Sequence, residues 1–164
     1  MGDWLFERAG ALRPAYEAVD WAATPLGPTC DWPQALRGTL LLALQSRFPI
    51  SLFWGDEQVL LYNEAYVRLI EDKHPQGLGN TVARVFPEIL DVIGPLISQV
   101  RTEGRAVYVE DLPLLMDRAG FREECYFTFS YSPVPGELPG EVVGVMNIAT
   151  ETTRQVLEIG RAHV

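Results

Sequence analysis

The sequence predicts an α+β fold, in which a five-stranded antiparallel sheet carries helices on one face and follows an N-terminal helical extension. The first observation is the segment 125–134 (CYFTFSYSPV), where aromatic and hydroxylated side chains alternate as in a strand buried on one face. The second is the order of patterns: two apolar strands, then helices, then three more strands. Because the aromatic face of 125–134 needs a cover, we expect the central helices to lie on it.

The composition limits the classes of function. The chain has 164 residues, a net charge of −9 and a pI near 4.7. Scattered Lys and Arg in an acidic chain do not favour nucleic acid or an anionic membrane as a partner. No apolar run approaches the roughly 20 residues of a membrane span, and the acidic N-terminus is unlike a signal peptide. We therefore expect a cytoplasmic protein, with Cys30 and Cys125 as free thiols.

Residues 1–47 form the predicted extension. A helix over 3–19 has Asp3 as its cap and is kinked or ended by Pro14. An irregular linker rich in proline follows, and Asp31 is expected to cap a second helix. That helix carries an apolar stripe at helical spacing: Leu36, Leu40 and Leu44.

The tryptophans of the extension predict an interface. Trp4, Trp21 and Trp32 together are too apolar to be left in water. Two covers are open to them: the outer face of the sheet, or the same segment of a second chain. We therefore predict a homodimer that uses residues 4–44. The outer-face residues expected to contribute are Tyr126, Val143 and Val145.

The predicted domain begins with a hairpin, 50–54 and 59–62, joined by a turn. Asn63 then caps a helix over 64–71. Shorter helical pieces follow, and a longer helix over 91–102 ends at Gly104.

The second half is predicted to be mainly strand: 106–116, 121–134 and 142–149. Pro113 removes a donor from the ladder, so we expect an edge or a bulge there. A final helix begins near Arg154 and is expected to stop at Gly160.

In this order the motifs resemble the PAS domains. VLLYNEAYVRLI is similar to the PAS junction from strand to helix, and GLGNTVARVFPEI to its Gly-led helix ending in Phe-Pro-Glu. YFTFSYSPV and GVMNIATETT are similar to its last two strands, with Glu151 in place of the usual Asp. The extension resembles the one that precedes the sensor PAS of some bacterial histidine kinases and phosphatases. The resemblance implies a sensor domain over 48–153, with 154–164 as the start of a signalling helix or a tail.

The resemblance also implies which side chains face inward and bind a ligand. They are Leu52, Trp54, Phe127, Phe129, Tyr131, Gly144 and Met146. The alternative is an interior completely filled by side chains.

No cofactor is expected. Flavin photoreceptors of this family use a Cys in an Asn-Cys-Arg-Phe-Leu-Gln motif, which nothing between Leu78 and Ile97 matches. His74 and His163 are expected to be solvated rather than to ligate haem.

We also expect no catalysis, since the sequence lacks GxSxG, HExxH and a phosphate-binding loop. In the acidic pairs 110–111 and 123–124, adjacent strand residues point to opposite sides, so the pairs are interpreted as solvated.

The resemblance implies a sensory input module, expected to pass its signal through the C-terminal helix to an effector such as a histidine kinase or phosphatase in a longer chain. A small molecule would be its ligand. The alternative is a constitutive dimerisation or docking module with a filled core and no ligand. A small enzyme would need an inward carboxylate, and the expected inward residues include none.

Overall fold

The computed structural model describes residues 4–162, so the expectations for Asp3 and His163 fall outside the described residues. One antiparallel sheet has the order β2-β1-β5-β4-β3. Its strands are β1 Ile50–Trp54, β2 Val59–Tyr62, β3 Val107–Asp117, β4 Arg122–Pro135 and β5 Val142–Glu151. The predicted α+β fold, with five strands, is confirmed.

The α-helices match the predicted order. They are α1 Arg13–Ala18, α2 Gln34–Gln45, α3 Val67–Ile70, α4 Val82–Val85, α5 Leu90–Glu103 and α6 Thr153–Ala162. Gly104 ends α5 in the left-handed conformation, as expected. Gly160 does not end α6, because one glycine inside a helix costs only about 1 kcal/mol. No helix within residues 4–162 combines the length and the apolarity that a membrane crossing requires.

The register of β1 defines two faces of the sheet. Phe53 lies opposite Val145, and its ring is 5.5 Å from that of Tyr131. We call this the inner face. Residues directly opposite each other share a face, and neighbours along a strand do not. Leu52, opposite Met146, therefore points to the outer face.

Helix α2 covers the outer face. It contacts β1, β2 and β4, and its Leu36 and Leu40 are fully buried. Leu52 and Leu61 of the outer face are fully buried as well, which is the result expected of a helix packed on them. The predicted cap is wrong: α2 begins at Gln34, and no side chain caps it.

The first part of the extension breaks earlier than expected. Residues Trp4–Leu12 form 3₁₀ turns, interrupted at Gly10 with φ 62° and ψ −128°. Pro14 lies in the first turn of α1, where a missing N–H is harmless, so it starts a helix rather than ending one.

Two of the three tryptophans are covered within the chain. The rings of Trp21 and Trp32 lie 5.1 Å apart and pack with Phe6 and Tyr16. The indole N–H groups of Trp21 and Trp32 donate to backbone carbonyls at 2.9 and 3.0 Å. Trp21 and Trp32 therefore need no second chain to cover them, and they do not support a homodimer. Trp4 remains 58% exposed.

Pro113 lies on an edge, as predicted, because β3 is the last strand of the sheet. The irregularity in the ladder falls between Val109 and Leu112, where Asp111 adopts φ 48°. Pro113 itself pairs regularly with Tyr126.

Candidate functional site

A cavity of about 50 Å³ lies between the inner face and the helices. Four strands, β1, β3, β4 and β5, and the helical segment 66–93 form its walls. Among the described residues that line it, none carries a charged side chain. They are Phe53, Tyr66, Leu69, Ile70, Phe86, Ile89, Ile93, Leu114, Met116, Phe127, Phe129, Tyr131, Asn147 and Ala149.

The sheet side of the cavity is aromatic. The rings of Phe129 and Tyr131 are 4.6 Å apart, and the ring of Phe53 meets that of Tyr131 edge to face. Such pairs stabilise a wall beyond the apolar area that they bury. Burial raises the pKa of Tyr131 well above its ordinary value, so its hydroxyl stays neutral.

One end of the cavity is polar. Asn147 is 5% exposed, and its Nδ2 donates to Ser51 Oγ at 3.0 Å. Burial raises the pKa of Tyr66 to about 12, while hydrogen bonding with Ser51 and Asn147 opposes that rise. The Oδ1 atom of Asn147 has no hydrogen-bond partner among the described residues. The cavity therefore contains an unused acceptor.

The structure brings together three of the residues expected to face inward: Phe127, Phe129 and Tyr131 all line the cavity. Their role in binding stays a prediction. The inner face of β4 could be predicted from the sequence, because buried and partly exposed residues alternate along this strand.

The expected orientation of the other four is wrong. Leu52, Trp54, Gly144 and Met146 lie on the outer face by register. A Cβ on Gly144 would stand 2.7 Å from Cε3 of Trp54, so this glycine makes room for the indole. All five residues of β1 are buried, and a strand buried on both sides shows no alternation from which its faces can be assigned.

Sequence reasoning missed the polar end. Ser51 and Asn147 are polar residues within largely apolar strands and lie directly opposite each other in the register. A polar residue inside an apolar strand is a usable signal, but only the pairing shows that two of them meet. The helical side of the cavity, including Ile89 and Ile93, was also missed.

A buried arginine connects the cavity to the end of β5. Arg118, in a turn interpreted only as a connection, is 5% exposed. Its Nη1 and Nη2 donate to the two carboxylate oxygens of Glu151, both at 2.8 Å, and Nε donates to Glu123 at 2.8 Å. Nη1 also donates to the carbonyl of Leu69, a cavity residue, at 2.9 Å. The expectation that Glu123 is merely solvated is wrong, because it binds this guanidinium.

The same carboxylate meets the start of α6. Glu151 Oε2 accepts a hydrogen bond from Thr153 Oγ1 at 2.8 Å. Thr153 Oγ1 in turn accepts from the backbone N–H of Tyr126 at 2.9 Å. The Arg118 guanidinium holds the pKa of Glu151 below its ordinary value. Glu151 thus stays ionised, and it joins cavity, sheet and helix.

The remaining candidate groups lie outside the cavity. His74 is half-buried rather than solvated, and its Nδ1 lies 2.6 Å from the hydroxyl of Tyr62. Burial lowers the pKa of His74 and raises that of the Cys125 thiol to about 11. Cys30 and Cys125 are free, as predicted. No group of three or more His, Cys, Asp or Glu suited to a metal occurs in residues 4–162.

No protein-family model matches the sequence, and no curated protein sequence is similar to it. Solved structures are similar. The PAS domain of BvgS from Bordetella pertussis is 19% identical with a TM-score of 0.59, over 80% of this chain and 96% of that one. The phage VqmA–DPO complex is 17% identical with a TM-score of 0.55, over 77% and 57%. An RNA-binding Light-Oxygen-Voltage receptor is 19% identical with a TM-score of 0.53, over 86% and 42%.

The chain thus spans about half the length of the last two proteins, and nearly all of the first domain. At these identities the similarity concerns architecture. The strand order, the helices on the inner face and the matches to solved domains agree with one another. The described part of this chain has the PAS fold.

Proposed function

We propose that this chain is a cytoplasmic sensory input module, which binds a small molecule in the inner cavity and passes the signal through α6 to an effector. A histidine kinase or phosphatase domain in a longer chain is the effector that the sequence resemblance favours. Two structural similarities support the proposal: one to the PAS domain of BvgS, the other to the phage VqmA–DPO complex.

One observation carries the proposal: the Arg118 network touches the cavity and α6 at once. Its guanidinium binds the carbonyl of Leu69 on one side and Glu151 on the other. Asn147 and Ala149 line the cavity just before Glu151 on the same strand. A shift of the cavity wall therefore reaches Thr153, the first residue of α6, through hydrogen bonds that each have at least one charged partner, and such bonds are stronger than those between neutral groups.

Filling the cavity by substitution tests this coupling without a ligand. Ile93→Phe enlarges a cavity side chain on α5, far along the chain from α6. We expect it to change the hydrogen exchange of the α6 amides at least threefold. Glu151→Gln keeps the shape of the side chain but removes its charge. In a protein that carries Glu151→Gln, adding Ile93→Phe should change the hydrogen exchange of the α6 amides by no more than experimental error.

The control is Glu57→Gln, an exposed carboxylate in the β1–β2 turn. It should leave the response to Ile93→Phe intact. The NMR chemical shifts of Phe129 and Tyr131 report whether the new ring fills the cavity. If they show that it does, and the α6 amides still exchange hydrogen at the same rates with and without Ile93→Phe, the input function is contradicted.

A constitutive dimerisation module is the second candidate, and the small size of the cavity favours it. A volume of about 50 Å³ is close to a filled core. Exposed apolar side chains are available on the described surface, among them Trp4, Leu157 and Ile159.

Catalysis is less well supported, because the cavity lining offers no carboxylate, imidazole or thiol. The acidic net charge likewise does not favour nucleic acid as a partner.

We also propose a homodimer through residues 4–44, in which Trp4 is the exposed tryptophan. Val145, which was expected to contribute from the outer face, lies opposite Phe53 on the inner face and takes no part. Native mass spectrometry of the full chain should show a dimer at micromolar concentration. Trp4→Ser should weaken it at least tenfold, because an exposed tryptophan at an interface is a typical hot spot. Phe121→Ser, at a similarly exposed aromatic in the β3–β4 turn, is the control. A monomeric wild type, or equal weakening by both variants, would contradict this interface. The same spectra report any retained small molecule.

A further inference from the structure

The unpaired acceptor in the cavity indicates what kind of molecule it takes. Asn147 is buried, and its amide N–H is committed to Ser51 Oγ at 3.0 Å. Oδ1 is left without a partner among the described residues. A buried acceptor without a hydrogen bond destabilises the fold, because it has lost its bonds to water and gained none in return. A bound molecule with a hydrogen-bond donor would satisfy it.

The walls exclude a charged molecule. None of the described lining residues is acidic, basic or an imidazole. The nearby guanidinium of Arg118 is already paired with Glu151 and Glu123. An ion in the cavity would be removed from water with no counter-charge, which costs several kcal/mol.

The size and shape of the cavity limit further which molecules it can bind. A cavity of about 50 Å³ has room for roughly three to five water-sized groups, at about 10–15 Å³ each. Phe53, Phe129 and Tyr131 all line the cavity and pack against one another as aromatic rings, so a flat aromatic partner suits this wall.

We propose that the cavity selects a small, uncharged aromatic ring bearing one N–H or O–H donor, which donates to Asn147 Oδ1. This inference rests on the proposed function, and it specifies the ligand class of the same cavity. Donor selectivity should be strong, because a buried polar group left unpaired by the wrong ligand discriminates better than shape does.

Pyrrole and furan form a matched pair of probes. Both are flat five-membered rings of the same size, but pyrrole has an N–H donor and furan only an oxygen acceptor. Titrations of the full chain followed by NMR at the Ile93 and Ala149 methyls should show pyrrole binding at least tenfold more tightly. Furan is the less polar ring, so non-specific partitioning into an apolar interior would give the opposite order.

Asn147→Leu tests the assigned acceptor. In this variant both rings should bind, and the preference should fall below threefold. Furan binding as tightly as pyrrole in the wild type, or a preference retained in the variant, would overturn the donor contact and leave the proposed function standing. Failure of both rings to bind the wild type would overturn this inference. The Ile93→Phe exchange experiment uses no ligand, so it would still test the proposed function separately.

Discussion

Asn63→Ala is expected to lower the free energy of unfolding by about 4 kcal/mol. Its Oδ1 accepts from the N–H groups of Ile50 and Tyr66, both at 3.1 Å. Its Nδ2 donates to three carbonyls at 2.7–3.2 Å: those of Ala43, Ser46 and Phe48. The side chain is fully buried, so alanine leaves several backbone groups without partners, at about 1–3 kcal/mol each where water cannot replace the bond.

Urea denaturation of the wild type and of Asn63→Ala measures this difference in the free energy of unfolding. Asn80→Ala is the matched control, because Asn80 is half-buried and its side-chain Oδ1 accepts a local bond from the N–H of Thr81 at 3.0 Å. Asn80→Ala should cost about 1 kcal/mol, the ordinary net value of one hydrogen bond. A loss at Asn63 no larger than that at Asn80 would show that water enters and satisfies the groups around it.

Asn63 illustrates how far sequence reasoning reaches. An asparagine between an apolar strand and a helix predicts a cap, and the bond to Tyr66 confirms it. A cap alone would correspond to a loss of about 1 kcal/mol in Asn63→Ala, because spacing in the sequence indicates only the local contact. The other partners belong to the end of α2 and to the start of β1, and their approach depends on how the extension packs.

The candidate cavity also has one part that local sequence patterns predict and one part that depends on how the strands pair. In β4 one face is aromatic and the other hydroxylated, so the positions of Phe127, Phe129 and Tyr131 followed from alternation alone. In β1 both faces are covered, one by the helices around the cavity and the other by α2, and both therefore carry apolar residues. Nothing local distinguishes Phe53 from Leu52, and the choice between them requires the register with β5.

The Arg118 network could not be predicted from local patterns either. The segment DRAG signals a turn, and a turn arginine is ordinarily exposed. Its burial follows from long-range contacts with Leu69 and Glu151, which are remote in sequence and meet only when β3, β4 and β5 align. Glu151, in place of the Asp that is usual in PAS domains, was visible in the sequence, but its partner Arg118 was not.

Phe129→Ala is expected to lower the free energy of unfolding by about 3–5 kcal/mol, the usual cost of removing a buried phenylalanine. Phe129 is 4% exposed and packs against Tyr131 beside the existing cavity. Loss of the ring merges its volume with that cavity, and the rigid strands on either side limit the collapse that would recover contacts. Urea denaturation measures the cost.

The control lies one residue away. Thr128 points to the outer face, where its Oγ1 accepts from the N–H of Asp111 at 3.1 Å on the edge of the sheet. Water can replace that bond, so Thr128→Ala should cost about 1 kcal/mol or less. If Thr128→Ala proves the more damaging of the two, the faces of β4 are reversed, and with them the wall of the proposed site. A small loss in Phe129→Ala alone would instead mean that the helices above the sheet close onto the vacated space.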